Sequence, residues 1–264
     1  MANRCAMLVL LRHGSSLANE GQRFGGWDDV ALSDRGVAQA RAAGMLLQCM
    51  DLRFDISFTS VLRRAVGTLW HCLDALNQTW IPTVCDWRLN ERHFGSLQGM
   101  TKSDAVARYG DSQVQRWRRG FNERPPPLSP GELRDSFGAP PYESLNRSQV
   151  PLCESLQDTH ERVLACWDAR ILPALMRGEN VLLVAHGNSI RALLMVLETI
   201  GEDEIGAVEV PNGIPLAYEF RTDERRFVRR EIDGSPPCNS NLGRRLTAGV
   251  DGANTFPITH SQRT

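Results

Sequence analysis

The chain has 264 residues, 42% of them hydrophobic and 23% charged, with 30 Lys and Arg against 31 Asp and Glu. That is the composition of a globular domain with a sizeable core, and it excludes disordered, collagen-like and fibrous classes. A formal net charge of -1 argues against a bulk nucleic-acid binder, which carries a basic surplus.

The longest apolar runs, residues 7–11 and 181–185, are too short to cross a bilayer, so no membrane partner is expected. No basic segment followed by a long apolar stretch opens the chain. The seven cysteines (5, 49, 72, 85, 153, 166 and 238) form no Cys-x-x-Cys pair. Scattered thiols of this kind point to a reduced, cytoplasmic protein. No two histidines stand at helical ligand spacing, so no metal is expected.

Residues 7–11, Met-Leu-Val-Leu-Leu, read as a strand buried on both faces, ending at Arg12-His13-Gly14. Ser33 opens a helix through Met50, with Val37, Ala40, Gly44 and Leu47 on one face. Residues 54–59 read as a second strand. Leu62, Val66, Leu69, Leu73 and Leu76 then repeat at helical spacing, and residues 80–87 read as a third strand. Ser155 with Asp158 signals a helix start, followed by a stripe of Val163, Trp167, Ile171 and Leu175. Residues 181–185 form another buried-strand run, ending at His186-Gly187-Asn188 before a helix through Leu197. Residues 208–220, broken by Pro-Asn-Gly, read as two strands around a turn.

This alternation predicts an α/β fold, a three-layer α/β/α sandwich around a mostly parallel sheet. Residues 1–232 form the expected catalytic domain. Residues 125–151, rich in Pro, Ser and Gly, read as a surface loop or lid, and residues 233–264 as a mobile tail.

Two strand ends share one design, a histidine beside a glycine and then a helix start. In open α/β sheets such ends bind anions. Either histidine alone could be an ordinary loop residue; two in matching contexts suggest facing imidazoles. Arg12, the pair Arg63 and Arg64, Lys102, and the pair Arg118 and Arg119 offer cations that match phosphate oxygens. Each pair alone also fits a solvated helix end, and Arg225-Arg226 and Arg229-Arg230 read as that. Glu91, beyond a predicted strand, could exchange a proton with a substrate hydroxyl. A surface ion pair with Arg92 fits the local sequence equally well.

Several separated blocks carry a resemblance. They are Leu11-Arg12-His13-Gly14 with Ser16 and Asn19, Gly26-Trp27, residues 58–65 around Arg63-Arg64, residues 87–95 around Glu91, Trp117-Arg118-Arg119 before three prolines, and Ala185-His186-Gly187-Asn188-Ser189. Over residues 7–220 the chain closely resembles the cofactor-dependent phosphoglycerate mutases of the histidine phosphatase superfamily.

The resemblance implies His13 as the nucleophile that carries a phosphoryl group. It implies Arg12, Arg64 and His186 as the phosphoryl pocket, with Gly187 and Asn188 nearby, and Glu91 as the proton donor and acceptor. Ser16, Asn19, Gly25, Gly26, Phe94, Lys102, Arg118 and Arg119 would contact the rest of the substrate. The implied reaction interconverts 2-phosphoglycerate and 3-phosphoglycerate, both small phosphorylated three-carbon acids. It is primed by 2,3-bisphosphoglycerate, without a metal, in a homodimer or homotetramer.

Ser15 stands where many members carry Glu or Gln, Gly25 where a hydroxyl is usual, and Phe94 where a tyrosine is usual. Ser16 and Ile190 look more like the glycolytic mutases than the bisphosphoglycerate synthases. A bisphosphoglycerate synthase or phosphatase, a broader histidine phosphatase and a non-catalytic binding module on the same fold are the alternatives.

Overall fold

The computed structural model describes residues 5–129, 131, 140–143, 145–232 and 254–255. The elements run β1 (Cys5–Arg12), α1 (Leu17–Glu20), α2 (Asp34–Cys49), β2 (Ile56–Thr59), α3 (Arg63–Ala75), β3 (Thr83–Cys85), α4 (Lys102–Tyr109) and α5 (Asp111–Arg119). They continue with α6 (Leu156–Cys166), α7 (Leu172–Met176), β4 (Val181–Ala185), α8 (Gly187–Leu197), β5 (Pro215–Arg221), β6 (Arg226–Arg230) and the two-residue β7 (Asn254–Thr255). A π-helical segment, Trp167–Ile171, joins α6 to α7. No helix among the described residues is long and apolar enough to cross a membrane.

The sheet order is β3-β2-β4-β1-β5-β6-β7. Strands β3, β2, β4 and β1 pair in parallel. Strands β5, β6 and β7 extend the sheet antiparallel. The α/β class is the one expected, and the sheet is mixed.

The unbroken apolar runs of β1 and β4 follow from burial on both faces. Leu8, Leu10, Val181 and Leu183 pack into a core with Val163, Trp167, Ile171 and Ile190. Val9, Leu11, Leu182 and Val184 pack on the other face against Ala43, Leu47, Leu69 and Leu73 of α2 and α3. Ser33 and Ser155 cap α2 and α6 as the sequence suggests, each accepting a hydrogen bond from a backbone N–H three residues on.

Three readings change. The strand expected over 80–87 is only Thr83–Cys85. Trp80 is exposed, and the Asp86 carboxylate accepts the Arg88 N–H, turning residues 87–89 into a 3-10 turn. The hairpin expected within 208–220 lies further on. Residues 208–214 are not strand, because Gly213 N–H donates to the Arg12 carbonyl at 3.0 Å and folds that stretch over the end of β1. The hairpin is β5–β6, so Arg226, Arg229 and Arg230 are strand residues and not a helix end. Arg229 and Arg230 bond Glu198 and Glu219 from there.

The segment 125–151 is more than a surface loop where it is described. Tyr142 is buried, stacks on Trp27 at 5.1 Å between centroids, and accepts the Asn90 side-chain amide at 2.9 Å. Residues 130, 132–139 and 144 lie outside the described set, as does the expected tail except for Asn254–Thr255, which pairs with β6.

The turn after β1 meets the start of α2 with no room to spare. A Cβ on Gly36 would lie 1.9 Å from the Ser15 carbonyl oxygen, and one on Gly14 would lie 2.2 Å from the Gly36 carbonyl oxygen. Neither backbone can yield without moving the strand end. Gly36→Ala is therefore expected to cost about 1–3 kcal/mol or more, as overpacking does, and to lower the urea midpoint. An unchanged midpoint would show that this contact relaxes freely.

Candidate functional site

Parallel pairing of β1 with β4 places Arg12 opposite Ala185. Both strands therefore end at one level. His13 N–H donates to the Ala185 carbonyl at 3.0 Å, and the two following imidazoles meet. The ring centroids of His13 and His186 are 5.0 Å apart at 61°. Both rings are buried. α8 starts at Gly187 against the Arg12 guanidinium, which a Cβ there would meet at an ordinary contact distance of 3.5 Å.

The hydrogen bonds assign the tautomers. His13 Nδ1 lies 2.7 Å from the Gly14 carbonyl, which can only accept, so Nδ1 carries the proton and Nε2 keeps a lone pair. His186 Nε2 lies 2.7 Å from Ser60 Oγ. That oxygen accepts Leu62 N–H at 3.2 Å, and its hydroxyl proton has no other acceptor among the described residues, so we assign that proton to His186 Nε2. The neutral His186 ring then carries its own proton on Nδ1, which has no partner among the described residues. Burial, then Arg64 and Arg12, hold His13 well below the ordinary imidazole pKa. Burial, Arg64 and His13 do the same for His186. Both rings are neutral near pH 7.

Arg12 and Arg64 flank the pair. Arg12 Nη1 donates to the Val210 carbonyl at 2.6 Å, while its buried Nε has no partner among the described residues. Arg64 donates to the carbonyls of Asp28 at 2.8 Å and Gly26 at 2.7 Å. These contacts are to neutral oxygens, so neither charge is neutralised by a direct ion pair. Burial is the main force lowering both arginines' pKa values.

Glu91 is buried and does not form the surface ion pair with Arg92 that its sequence neighbourhood allows. Its Oε1 accepts the backbone N–H groups of Arg92 at 2.9 Å and Asn188 at 3.1 Å, and the Asn188 side-chain amide at 2.9 Å. The carboxylate thus sits at the N-terminus of α8, where backbone dipoles favour negative charge. Burial pushes its pKa up, but these hydrogen bonds together with Arg12 and Arg64 bring it below the usual value. The Arg92 guanidinium turns away, donating to the Arg118 carbonyl at 2.9 Å over the Phe94 ring.

A cavity of about 250 Å³ opens beside these groups. His13, Arg12, Arg64, Glu91, Ser16, Asn19, Gly25, Gly26, Phe94, Lys102, Arg118, Arg119, Gly187 and Asn188 all line it, and His186 lies just behind His13. The sequence candidates are thus brought together. Ser16 and Asn19 hold each other in a capping box at the start of α1. Lys102 donates to Gln22 at 2.9 Å, and its pKa is lowered by burial, Arg118, Arg12 and Arg119. At Gly25 a Cβ would meet only Ala18 at 3.6 Å and Arg64 at 4.0 Å, so the missing hydroxyl leaves open space.

Sequence reasoning missed Ala18, Arg23, Phe24, Arg191 and Glu209, which also line the cavity. It missed Ser60, and it missed Arg162, which donates to the Arg88, Asn90 and Glu91 carbonyls and pairs with Glu154 at 2.6 Å. Ser60 directly follows the end of β2. A second cavity, about 370 Å³, lies against Gln48, Leu52, Phe54, Leu76 and Trp80 and holds no histidine.

The sequence profile of the histidine phosphatase superfamily (branch 1) matches residues 8–139 and 132–233. Among solved structures, that of native mycobacterial glucosyl-3-phosphoglycerate phosphatase is 25% identical, with a TM-score of 0.61, covering 86% of this chain and 97% of that one. A phosphoglycerate mutase from Bacillus anthracis is 22% identical, with a TM-score of 0.63, covering 86% and 92%. A putative alpha-ribazole-5'-P phosphatase from Escherichia coli is 21% identical, with a TM-score of 0.61, covering 85% and 94%. The last two likenesses are likenesses of fold.

The depressed histidines tie stability to pH. The unfolded chain binds protons at His13 and His186 as pH falls below about 6.5, while the folded chain does not. Their contribution is full above that value and is lost as pH drops toward the folded pKa values. Urea midpoints should fall between pH 6.5 and 5, and fall less steeply in His186→Gln. Equal slopes in the two proteins would contradict the depressed His186.

Proposed function

Because the chain belongs to the histidine phosphatase superfamily, we propose that it is a phosphoglycerate mutase working through phosphohistidine, with 2,3-bisphosphoglycerate as substrate of the priming step. The observation that carries this reading is a cavity whose lining gathers cations from several elements. Arg12 and Arg64 flank the histidine pair, and Lys102, Arg118 and Arg119 line the same space beside the carboxylate of Glu91. A small acid with a phosphate at one end and a second anionic group at the other matches that pattern.

In the priming step His13 Nε2 attacks phosphorus and the P–O bond to the glycerate oxygen breaks. That oxygen takes a proton from Glu91, leaving a monophosphoglycerate and a phosphohistidine. Glu91 is available for this because an incoming phosphate dianion offsets the charges of Arg12 and Arg64, which otherwise keep the carboxyl ionised. In the return step Glu91 takes the proton of a substrate hydroxyl as its oxygen attacks phosphorus and the P–N bond breaks. Transfer to one hydroxyl and recovery from the other exchanges the position of the phosphate. Arg12 Nε and His186 Nδ1, both without partners among the described residues, supply donors for the phosphoryl oxygens.

A second reading is favoured by the 25% identity to a phosphatase of a phosphoglycerate derivative. There water, in place of a substrate hydroxyl, would attack the phosphohistidine. The residues of the phosphoryl pocket would be the same.

A coupled assay separates the two. We expect isomerisation of 3-phosphoglycerate that depends on added 2,3-bisphosphoglycerate and outpaces phosphate release. Phosphate release without isomerisation would replace the mutase reading with the phosphatase one. Ser60→Ala, which frees His186 Nε2 of its donor, should lower kcat about 10- to 100-fold with the smaller change in KM. Wild-type turnover in this variant would show that the Ser60 contact does not orient His186 for the reaction.

A further inference from the structure

The cavity holds two carboxylates, Glu91 and Glu209. Glu91 has a place in the chemistry. Glu209 does not, and it pairs with one of the cations that line the cavity. Its Oε1 lies 2.5 Å from Arg119 Nη2.

The backbone on either side of Glu209 is held by the site itself. The carbonyl of Val208 accepts Arg191 Nε at 2.8 Å, and that of Val210 accepts Arg12 Nη1 at 2.6 Å. Arg119 Nη1 reaches the Gly206 carbonyl at 3.3 Å. The main chain is thereby fixed over the cavity, while the Glu209 side chain remains 65% exposed and free to turn.

We propose that Glu209 is an internal competitor for the distal anion of the substrate. Its carboxylate occupies Arg119 in the empty site and is displaced when a ligand's second anionic group arrives. It thereby sets how strongly the site prefers doubly anionic ligands over singly anionic ones. This rests on the reading that Lys102, Arg118 and Arg119 receive that second group.

The physical case is one of unequal strengths. An exposed ion pair between two mobile side chains is weak. A ligand phosphate brings more charge and more acceptor oxygens, so it wins the guanidinium. Until it does, Glu209 both occupies a donor and repels the incoming anion. The Glu209 carboxylate bonds Arg119 and no histidine among the described residues, so its removal acts first on anion binding.

Calorimetric titration of 2,3-bisphosphoglycerate and of orthophosphate onto the wild-type chain and Glu209→Gln tests this. The variant should bind the bisphosphate about three- to tenfold tighter and orthophosphate within about twofold of wild type. In an Arg119→Gln background the gain from Glu209→Gln should shrink, because the competed guanidinium is gone. Unchanged or weaker bisphosphate binding in Glu209→Gln would overturn the proposal. If wild type binds the bisphosphate no tighter than orthophosphate, the distal anion subsite is absent and the proposal falls with it.

Discussion

The register between β1 and β4 governs where chemistry can occur in this chain. Arg12 opposite Ala185 brings two strand ends to one level and aims two histidines, 173 positions apart, at each other. A slip of one residue would turn alternate side chains to the wrong face and undo both cores as well as the site. The same leucines and valines that bury β1 and β4 in the two cores therefore fix the geometry of the imidazole pair. Glycines finish the job. Gly14 lets the turn pass against α2, and Gly36 lets the start of α2 come up against that turn.

The site so formed carries buried positive charge with few direct counter-charges. Arg12 and Arg64 bond to carbonyls, Arg92 bonds to a carbonyl, and Arg191 bonds to a carbonyl and a side-chain amide. Burial lowers the pKa of Arg92 and of Arg191 to about 10, and it drives both histidines neutral. Such an arrangement costs folding energy in the absence of an anion and returns it on binding one. Glu91 is the buried carboxylate inside this field, held ionised by N–H groups and by the same arginines. Its protonation is thereby coupled to whether a phosphate is present, which is the coupling an acid–base partner in phosphoryl transfer needs.

Much of this was readable in the sequence, for identifiable reasons. Apolar runs without alternation report burial on both faces, so β1 and β4 were plain, and the histidines at their ends followed from where ligands sit on α/β sheets. Glu91 was ambiguous from its neighbours alone, because only the fold shows that Arg92 turns away and α8 arrives to hold the carboxylate. Residues 208–214 misled, since their strand-like composition is overridden by Gly213 pairing with Arg12. Ser60, Arg162 and Glu209 act through partners more than 70 positions distant, and nothing local marks such contacts. Tyr142 was hidden for a related reason. A segment rich in proline and serine gave no sign that one aromatic ring would lodge beneath Trp27.

The account rests on His13 Nε2 being the atom that accepts the phosphoryl group. Brief incubation of the protein with 2,3-bisphosphoglycerate, quenching in base and peptide mass spectrometry would locate the modification. An acid-labile phosphate on the peptide carrying His13, absent from His13→Ala, is the predicted result. Turnover with no phosphohistidine at His13, or with phosphate on another residue, would contradict it.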